Sequence, residues 1–359
     1  MPGNPKPEGD SFGAIDFGGR MVGPGHPPLI VAEISGNHNG DRARAIELIR
    51  RIAATGAEAV KFQTYTADTL TIDCQAPDFL IPKGLWAGRK LYELYQEAST
   101  PWEWHEELFA VAREEGLIAF STPFDVTAIE FLEGFDVPAH KVASFELVDL
   151  KLIEAIARTG KPMVISTGLA SLEEIEDAVE AARSNGCNEI VLLHCLSAYP
   201  TPIAEANLRR IPILRERFGV QTGLSDHTMG LVVPTAAVAL GVTLIEKHVT
   251  LSRADGGPDA AFSLEMHELA ELVEASRNAH AAMGTGSEDR SPSEANSIVF
   301  RRSLYVVSDM TAGEAFTAEN VRSIRPGHGL APKHIDAVIG GKASRDIARG
   351  TALDWTLVD

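Results

Sequence analysis

The sequence predicts an α/β protein in which strand and helix alternate eight times to close a TIM (β/α)8 barrel, followed by a small domain of strands and turns. Three observations predict this. Between Leu29 and His248 eight short apolar runs recur, each ending in polar residues. Amphipathic segments separate them, as a barrel of about 250 residues requires. After residue 284 the helical periodicity gives way to short strand-like runs, and the 359-residue chain leaves room for one extra module.

The strands are read in order as LIVAE (Leu29 to Glu33), AVKFQT (Ala59 to Thr64), IAFSTPFD (Ile118 to Asp125) and HKVASFE (His140 to Glu146). PMVISTG (Pro162 to Gly168), IVLLHC (Ile190 to Cys195), VQTGLSDH (Val220 to His227) and TLIEKH (Thr243 to His248) complete the set. Helices are expected over Ala43 to Thr55, closed by Gly56, over the segment that starts at Ser171, and over Met266 to Met283. Ser171 and Glu174 have capping-box spacing. Residues 1–27, rich in proline and glycine, read as an irregular arm, and residues 28–283 as the barrel. The connection from Tyr65 to Pro101 is long and aromatic, which suits either a lid over the catalytic face or a packed surface excursion. Residues 284–297 are small and polar and read as a linker. Residues 298–359 form the second domain, too small to bury much core alone and therefore expected to dock on something.

Composition excludes several classes. A formal charge of −18 argues against nucleic acid or an anionic membrane as partner, so an anionic substrate needs a local basic pocket. Cys74, Cys187 and Cys195 have no CxxC spacing, which argues against a disulfide framework or a zinc knuckle and suits a reducing cytoplasm. No long uncharged apolar stretch or hydrophobic signal core is present in the sequence.

Active-site groups of such barrels sit at the C-terminal strand ends. Here His227 (SDHT) and His248 (EKH) fall just past consecutive strand ends, where two imidazoles can share one divalent ion of the manganese, iron, cobalt or zinc type. A hydrogen-bonded structural role for each histidine stays open at this point. Lys61 and Lys141 should point to the top of the barrel, with hydroxyls from Thr122, Ser144, Ser166 and Ser225 around them. That set suits a small ligand carrying phosphate and carboxylate. The alternative pairs each lysine with a strand-end carboxylate such as Glu146 or Glu246. Glu33, beside the turn SGNHNG, is placed to act as a base or proton shuttle.

Taken together, VAEISGNHNG, VKFQTY, STPFD, KVASFE, ISTG, SAYPTP, GLSDHT, EKH and GPD resemble the sialic acid synthase family, the phosphoenolpyruvate-condensing nonulosonate synthases. The tail RRSLYVV, IRPGHGL and GKASRDIARGTAL resembles that family's C-terminal SAF, or antifreeze-like, domain. The resemblance implies condensation of phosphoenolpyruvate with an open-chain acylamino sugar, giving a nine-carbon 2-keto acid and phosphate with carbon–oxygen cleavage. It implies that His227 and His248 bind the metal, usually manganese, and that Lys61, Thr122, Lys141, Ser144, Ser166 and Ser225 hold phosphoenolpyruvate. It implies sugar contacts from Gln63, Tyr199 and Asp259, a proton role for Glu33, and a domain-swapped homodimer in which Arg325 reaches the other subunit's barrel.

Within the family, DGGPDAAFSLE, SAYP and LYELYQEA look like the branch that makes pseudaminic acid from 2,4-diacetamido-2,4,6-trideoxy-L-altrose. Ser197 stands where N-acetylneuraminate-forming members usually carry asparagine. Ala260, Ala261 and Phe262 replace polar residues and suit a 6-deoxy methyl group. Legionaminate and N-acetylneuraminate synthesis are the alternatives within the family. Outside it stand a Schiff-base aldolase acting through Lys61 or Lys141, which the paired histidines oppose, and a non-enzymatic ice- or carbohydrate-binding protein, which the polar strand ends oppose.

Overall fold

Eight parallel strands form a closed ring in the computed structural model, which describes residues 13–359. Two short strands come first, β1 (Ile15–Phe17) and β2 (Arg20–Val22). The ring is β3 (Leu29–Glu33), β4 (Ala59–Thr64), β5 (Ile118–Pro123), β6 (His140–Val142), β7 (Met163–Ser166), β8 (Ile190–Cys195), β9 (Gln221–Asp226) and β10 (Leu244–Thr250). Each pairs with the next, and β10 pairs with both β9 and β3, which closes the TIM barrel. The staves are buried almost throughout, which is why they read as near-continuous apolar runs. Their register sets Glu33 beside Lys61, Gln63 beside Thr122, and Ser225 beside Glu246.

The connecting helices cover the ring. Helix Arg42–Ala54 starts on Asp41, whose carboxylate accepts the Ala43 amide at 2.8 Å. Helix Leu172–Ser184 starts on the capping box of Ser171 and Glu174. Helix Met266–Met283 is the last of the barrel and packs Leu269, Leu272 and Val273 into the main core.

Several local readings are corrected. Of the supposed irregular arm, residues 1–12 lie outside the described residues, and the rest contains the antiparallel hairpin of β1 and β2. Its turn uses Gly18 and Gly19, both at positive φ, so these glycines mark a hairpin turn rather than loose chain. Ile15, Phe17 and Val22 join the barrel core, where Phe17 meets Phe120 edge-on at 6.3 Å. The fourth strand is shorter than its run: β6 stops at Val142, and Ser144–Glu146 is a 3-10 turn. The polar segment around residue 290 carries one helical turn, Pro292–Ala295, capped by Ser291 and Glu294.

The long connection after β4 is ordered by short helices, Ala67–Leu70 and Leu91–Ala98, and by a loop that folds back on itself. In that loop the Ile81 amide donates to the Arg89 carbonyl at 2.9 Å and the Gly88 amide to the Ile81 carbonyl at 2.8 Å.

The described chain divides into a unit that ends at Gly284 and a second, Thr285–Asp359. The second unit pairs β11 (Ser303–Val306) with β12 (Val321–Ile324) antiparallel. It has its own core, built on Leu304, Val306, Met310, Phe316, Val338 and Leu353.

Candidate active site

The C-terminal ends of the staves bring together one buried charge cluster. Lys61 Nζ lies 2.7 Å from Glu33 Oε2 and 3.7 Å from Glu246 Oε2, and donates to Thr122 Oγ1 at 3.0 Å. Gln63 Nε2 donates to the other oxygen of Glu33 at 3.0 Å. Ser225 Oγ donates to Glu246 Oε1 at 3.0 Å. Lys61 thus meets two carboxylates, and its charge is already matched.

Lys141 differs. Its ammonium donates to Ser166 Oγ at 2.7 Å and to the Val142 carbonyl at 2.8 Å, and has no carboxylate partner among the described residues. It is 1% exposed. An unpaired ammonium removed from water is costly, and burial holds its pKa below the usual lysine range.

Beside it, Ser144 Oγ accepts the Gly168 amide at 3.1 Å. A side chain at Gly168 would collide with Ser197 Oγ and lie 2.7 Å from Ser144 Oγ, so the glycine of ISTG is required by close approach. Among the described residues Ser197 Oγ, which is buried, has no hydrogen-bond partner.

The carboxylates are not equivalent. Burial, assisted by repulsion from Glu246, pushes the Glu33 carboxyl up to about 7 despite Lys61. Burial also works against Glu246, but Lys61 and Lys141 outweigh it and hold that carboxyl below its ordinary value. Burial likewise opposes the Lys61 ammonium, and Glu246 and Glu33 together raise its pKa above the ordinary value.

The histidines stand at the rim. His227 follows β9 directly, but His248 lies within β10, two residues before its end, rather than past it. Their ring centroids are 5.3 Å apart. Two imidazoles sharing one ion at about 2.1 Å would place their centroids about 5 Å apart, so the spacing fits a shared metal. His227 Nδ1 faces the Leu196 carbonyl at 2.9 Å, which makes Nδ1 the proton-bearing nitrogen and Nε2 the donor toward a metal. His248 Nδ1 is buried and has no hydrogen-bond partner among the described residues, and Asp259 Oδ2 is 3.9 Å from it. Among the described residues no three His, Cys, Asp or Glu side chains close on one point, so these two imidazoles have no third protein ligand of those types beside them.

Against the histidines stands an aromatic wall. Tyr199 packs on His227 at 4.5 Å and on Phe262 at 5.2 Å, and Phe262 packs on His248 at 5.0 Å. Ala260 and Phe262 are buried, whereas Ala261 is exposed and forms no part of the wall. Asp259 is held by the Ser35 hydroxyl, and burial raises its carboxyl.

Sequence reasoning missed Trp86 and the hold of Ser35 on Asp259. Trp86 comes from the long connection, packs on Tyr199 at 5.5 Å, and donates from Nε1 to the Pro258 carbonyl at 2.8 Å. The length of that connection was the available signal. Arg325 is exposed in the second unit.

With this geometry in view, the comparisons with known proteins are direct. The NeuB family model matches residues 48–288 and the SAF domain model residues 301–359. The chain belongs to the NeuB family. It is 45% identical to pseudaminic acid synthase of Campylobacter jejuni over 90% of its own length and 95% of that protein. To N,N'-diacetyllegionaminic acid synthase of Campylobacter jejuni it is 36% identical, over 89% of this chain and 96% of that one. Among solved structures, N-acetylneuraminic acid synthetase from Leptospira borgpetersenii superposes with a TM-score of 0.71 at 32% identity, over 79% of this chain and 95% of that one.

Proposed function

We propose that the barrel condenses phosphoenolpyruvate with 2,4-diacetamido-2,4,6-trideoxy-L-altrose and water, giving pseudaminic acid and phosphate. The observation that carries the chemistry is Lys141, a buried ammonium with no carboxylate partner among the described residues, bonded to Ser166 and the Val142 carbonyl. The choice of sugar rests on the higher identity to the pseudaminic acid synthase and on the apolar Phe262 wall.

In this reading Lys141, Lys61, Thr122, Ser144, Ser166 and Ser225 hold the phosphate and carboxylate of phosphoenolpyruvate. His227 and His248 would hold a divalent metal, manganese for preference, which when bound supplies Lewis-acid polarisation of the sugar aldehyde. Tyr199, Gln63 and Asp259 face the sugar, and Phe262 takes its 6-deoxy methyl group. The methylene carbon of phosphoenolpyruvate bonds to the aldehyde carbon. Water adds at the phosphate-bearing carbon, and the hemiketal phosphate formed loses phosphate by carbon–oxygen cleavage. Glu33 accepts the proton of that water at its carboxylate, a task suited to a carboxyl pushed up to about 7. Arg325 would serve the barrel of a second copy, gripping the sugar's acylamino group in a homodimer, and the enzyme would work in the cytoplasm.

The test is phosphate release from phosphoenolpyruvate with Mn2+, comparing the trideoxy-altrose sugar with N-acetylmannosamine and the trideoxy-mannose analogue. Release with the altrose sugar alone is expected. Preference for either other sugar would keep the condensation and overturn the sugar assignment.

A further inference from the structure

We infer that the ion pair of Asp226 and Lys247, on the outer face of the barrel, is the device that positions His227 and His248 for metal binding. The inference rests on the reading of those histidines as a metal site. Neither member of the pair touches substrate. Both belong to the segments SDHT and EKH, whose other strand-end residues Ser225, His227, Glu246 and His248 were given chemistry above while this pair was not.

Side chains alternate across a strand, so Ser225 and Glu246 point into the barrel while Asp226 and Lys247 point out. Asp226 and Lys247 are register partners on adjacent staves, and Lys247 Nζ lies 2.7 Å from Asp226 Oδ2. They are 4% and 1% exposed. One pleat earlier on the same face the register partners are Leu224 and Ile245, both in the apolar core. An apolar pair would therefore suit the layer. Replacing a buried ion pair by packed hydrophobic groups is often neutral or stabilising, so stability alone does not account for the pair.

Its hydrogen bonds supply the account. Asp226 Oδ1 accepts the Thr228 amide at 3.0 Å, and Oδ2 accepts the Thr228 hydroxyl at 3.1 Å. Lys247 Nζ donates to the Thr228 carbonyl as well as to Asp226. The carboxylate thus spans His227 and clamps the residue after it, while the ammonium grips the same turn from the strand that carries His248. The His227 carbonyl is held in addition by the Thr201 amide at 3.0 Å. One network fixes the backbone on the far side of both imidazoles and so fixes their separation.

The test is Mn2+ binding followed by the electron paramagnetic resonance signal of the free ion, with thermal unfolding measured in parallel. Wild type and His248→Ala establish whether binding depends on the histidines. The variant Asp226→Leu/Lys247→Met replaces the pair with apolar groups, and Thr228→Val removes one bond of the clamp with little change of shape. Both should unfold near the wild-type temperature and bind Mn2+ more weakly, the double variant by roughly 10- to 100-fold, the usual cost of losing groups that orient metal ligands. Thr228→Ser, which keeps the hydroxyl, should bind as wild type does. Should the double variant fail to fold, weakened binding in Thr228→Val with recovery in Thr228→Ser still supports the inference. Wild-type affinity in Thr228→Val, or in a folded double variant, overturns it while the histidine site stands. Binding unaffected by His248→Ala overturns the site itself and this inference with it.

Discussion

Cutting Trp86 back to alanine should raise the Michaelis constant for the sugar and leave that for phosphoenolpyruvate unchanged. Two contacts vanish in this variant: the 2.8 Å hydrogen bond to the Pro258 carbonyl and the packing on Tyr199. The first is worth about 0.5–1.5 kcal/mol and the second about 0.5–1.5 kcal/mol. Together they hold Tyr199 and the loop leading into Asp259 with about 1–3 kcal/mol, which corresponds to a roughly 5- to 150-fold rise if the support is lost in full. Trp86→Phe keeps a ring against Tyr199 and loses only the hydrogen bond, so its rise should be roughly 2- to 13-fold. The assay is the initial rate of phosphate release with the sugar varied at saturating phosphoenolpyruvate, then the converse. Lys61 and Lys141 bond to Thr122, Ser166 and Val142 and make no hydrogen bond to Trp86, so the second titration should not move. Equal rises in both constants, or an unchanged sugar constant in Trp86→Ala, would refute the assignment of the long connection to the sugar side.

Lys141→Met should weaken phosphoenolpyruvate binding by roughly 10- to 150-fold, the value of one hydrogen bond to a charged group, as read by calorimetric titration; unchanged affinity would remove Lys141 as the anion's anchor. Arg325→Ala should raise the sugar constant more than the phosphoenolpyruvate constant in steady-state assays, and an unchanged sugar constant would count against the swapped arrangement. Acid should destabilise the fold through His105, which is fully buried, donates or accepts at Thr64 Oγ1 over 2.8 Å, and is lowered by burial to about 4. Its folded pKa lies below the unfolded value of about 6.5, so the unfolded chain takes up the proton first; stability is whole above that value and is lost as pH falls toward 4. The loss between pH 7 and pH 5 is about 2 kcal/mol for this group, and urea unfolding of His105→Gln should show a correspondingly flatter acid limb.

Particular residues show why some features are legible in a sequence and others are not. The barrel is legible because a stave buried on both faces must be apolar along its length, and the polar residues that interrupt Lys61, Lys141 and Glu246 then stand out as exceptions. The capping box at Ser171 is legible because it is a local contact at fixed spacing. The hairpin before β3 is not, since Gly18 and Gly19 are equally suited to loose chain and to a turn, and only contact with Phe120 across the barrel decides between them. Trp86 and Pro258 are 172 residues apart, and no spacing rule joins them. The pairing of charges is equally non-local: the sequence offered Glu146 and Glu246 to either lysine, and three-dimensional register gave Glu246 and Glu33 to Lys61 and left Lys141 without a carboxylate partner among the described residues.

That unequal division of charge separates two roles that composition alone cannot. Glu33 and Glu246 flank the same ammonium, yet Glu246 also feels Lys141 and accepts the Ser225 hydroxyl, while at Glu33 burial outweighs the pull of Lys61 with help from the charge of Glu246. Two carboxyls whose surroundings push their pKa values apart divide labour in a site: one exchanges protons near neutrality, the other stays ionised. In the proposed mechanism Glu246 would be the fixed anion that keeps Lys61 charged and aimed, and Glu33 the group that moves a proton. Glu33→Gln keeps the shape and a polar contact to Lys61 but removes the base, so phosphate release should fall by roughly 100- to 10,000-fold while phosphoenolpyruvate binding is retained. Glu246→Gln removes the fixed charge instead, leaving Lys61 with a single carboxylate partner, and should alter phosphoenolpyruvate affinity. If Glu33→Gln kept its rate and lost affinity, and Glu246→Gln did the reverse, the two roles would have to be exchanged.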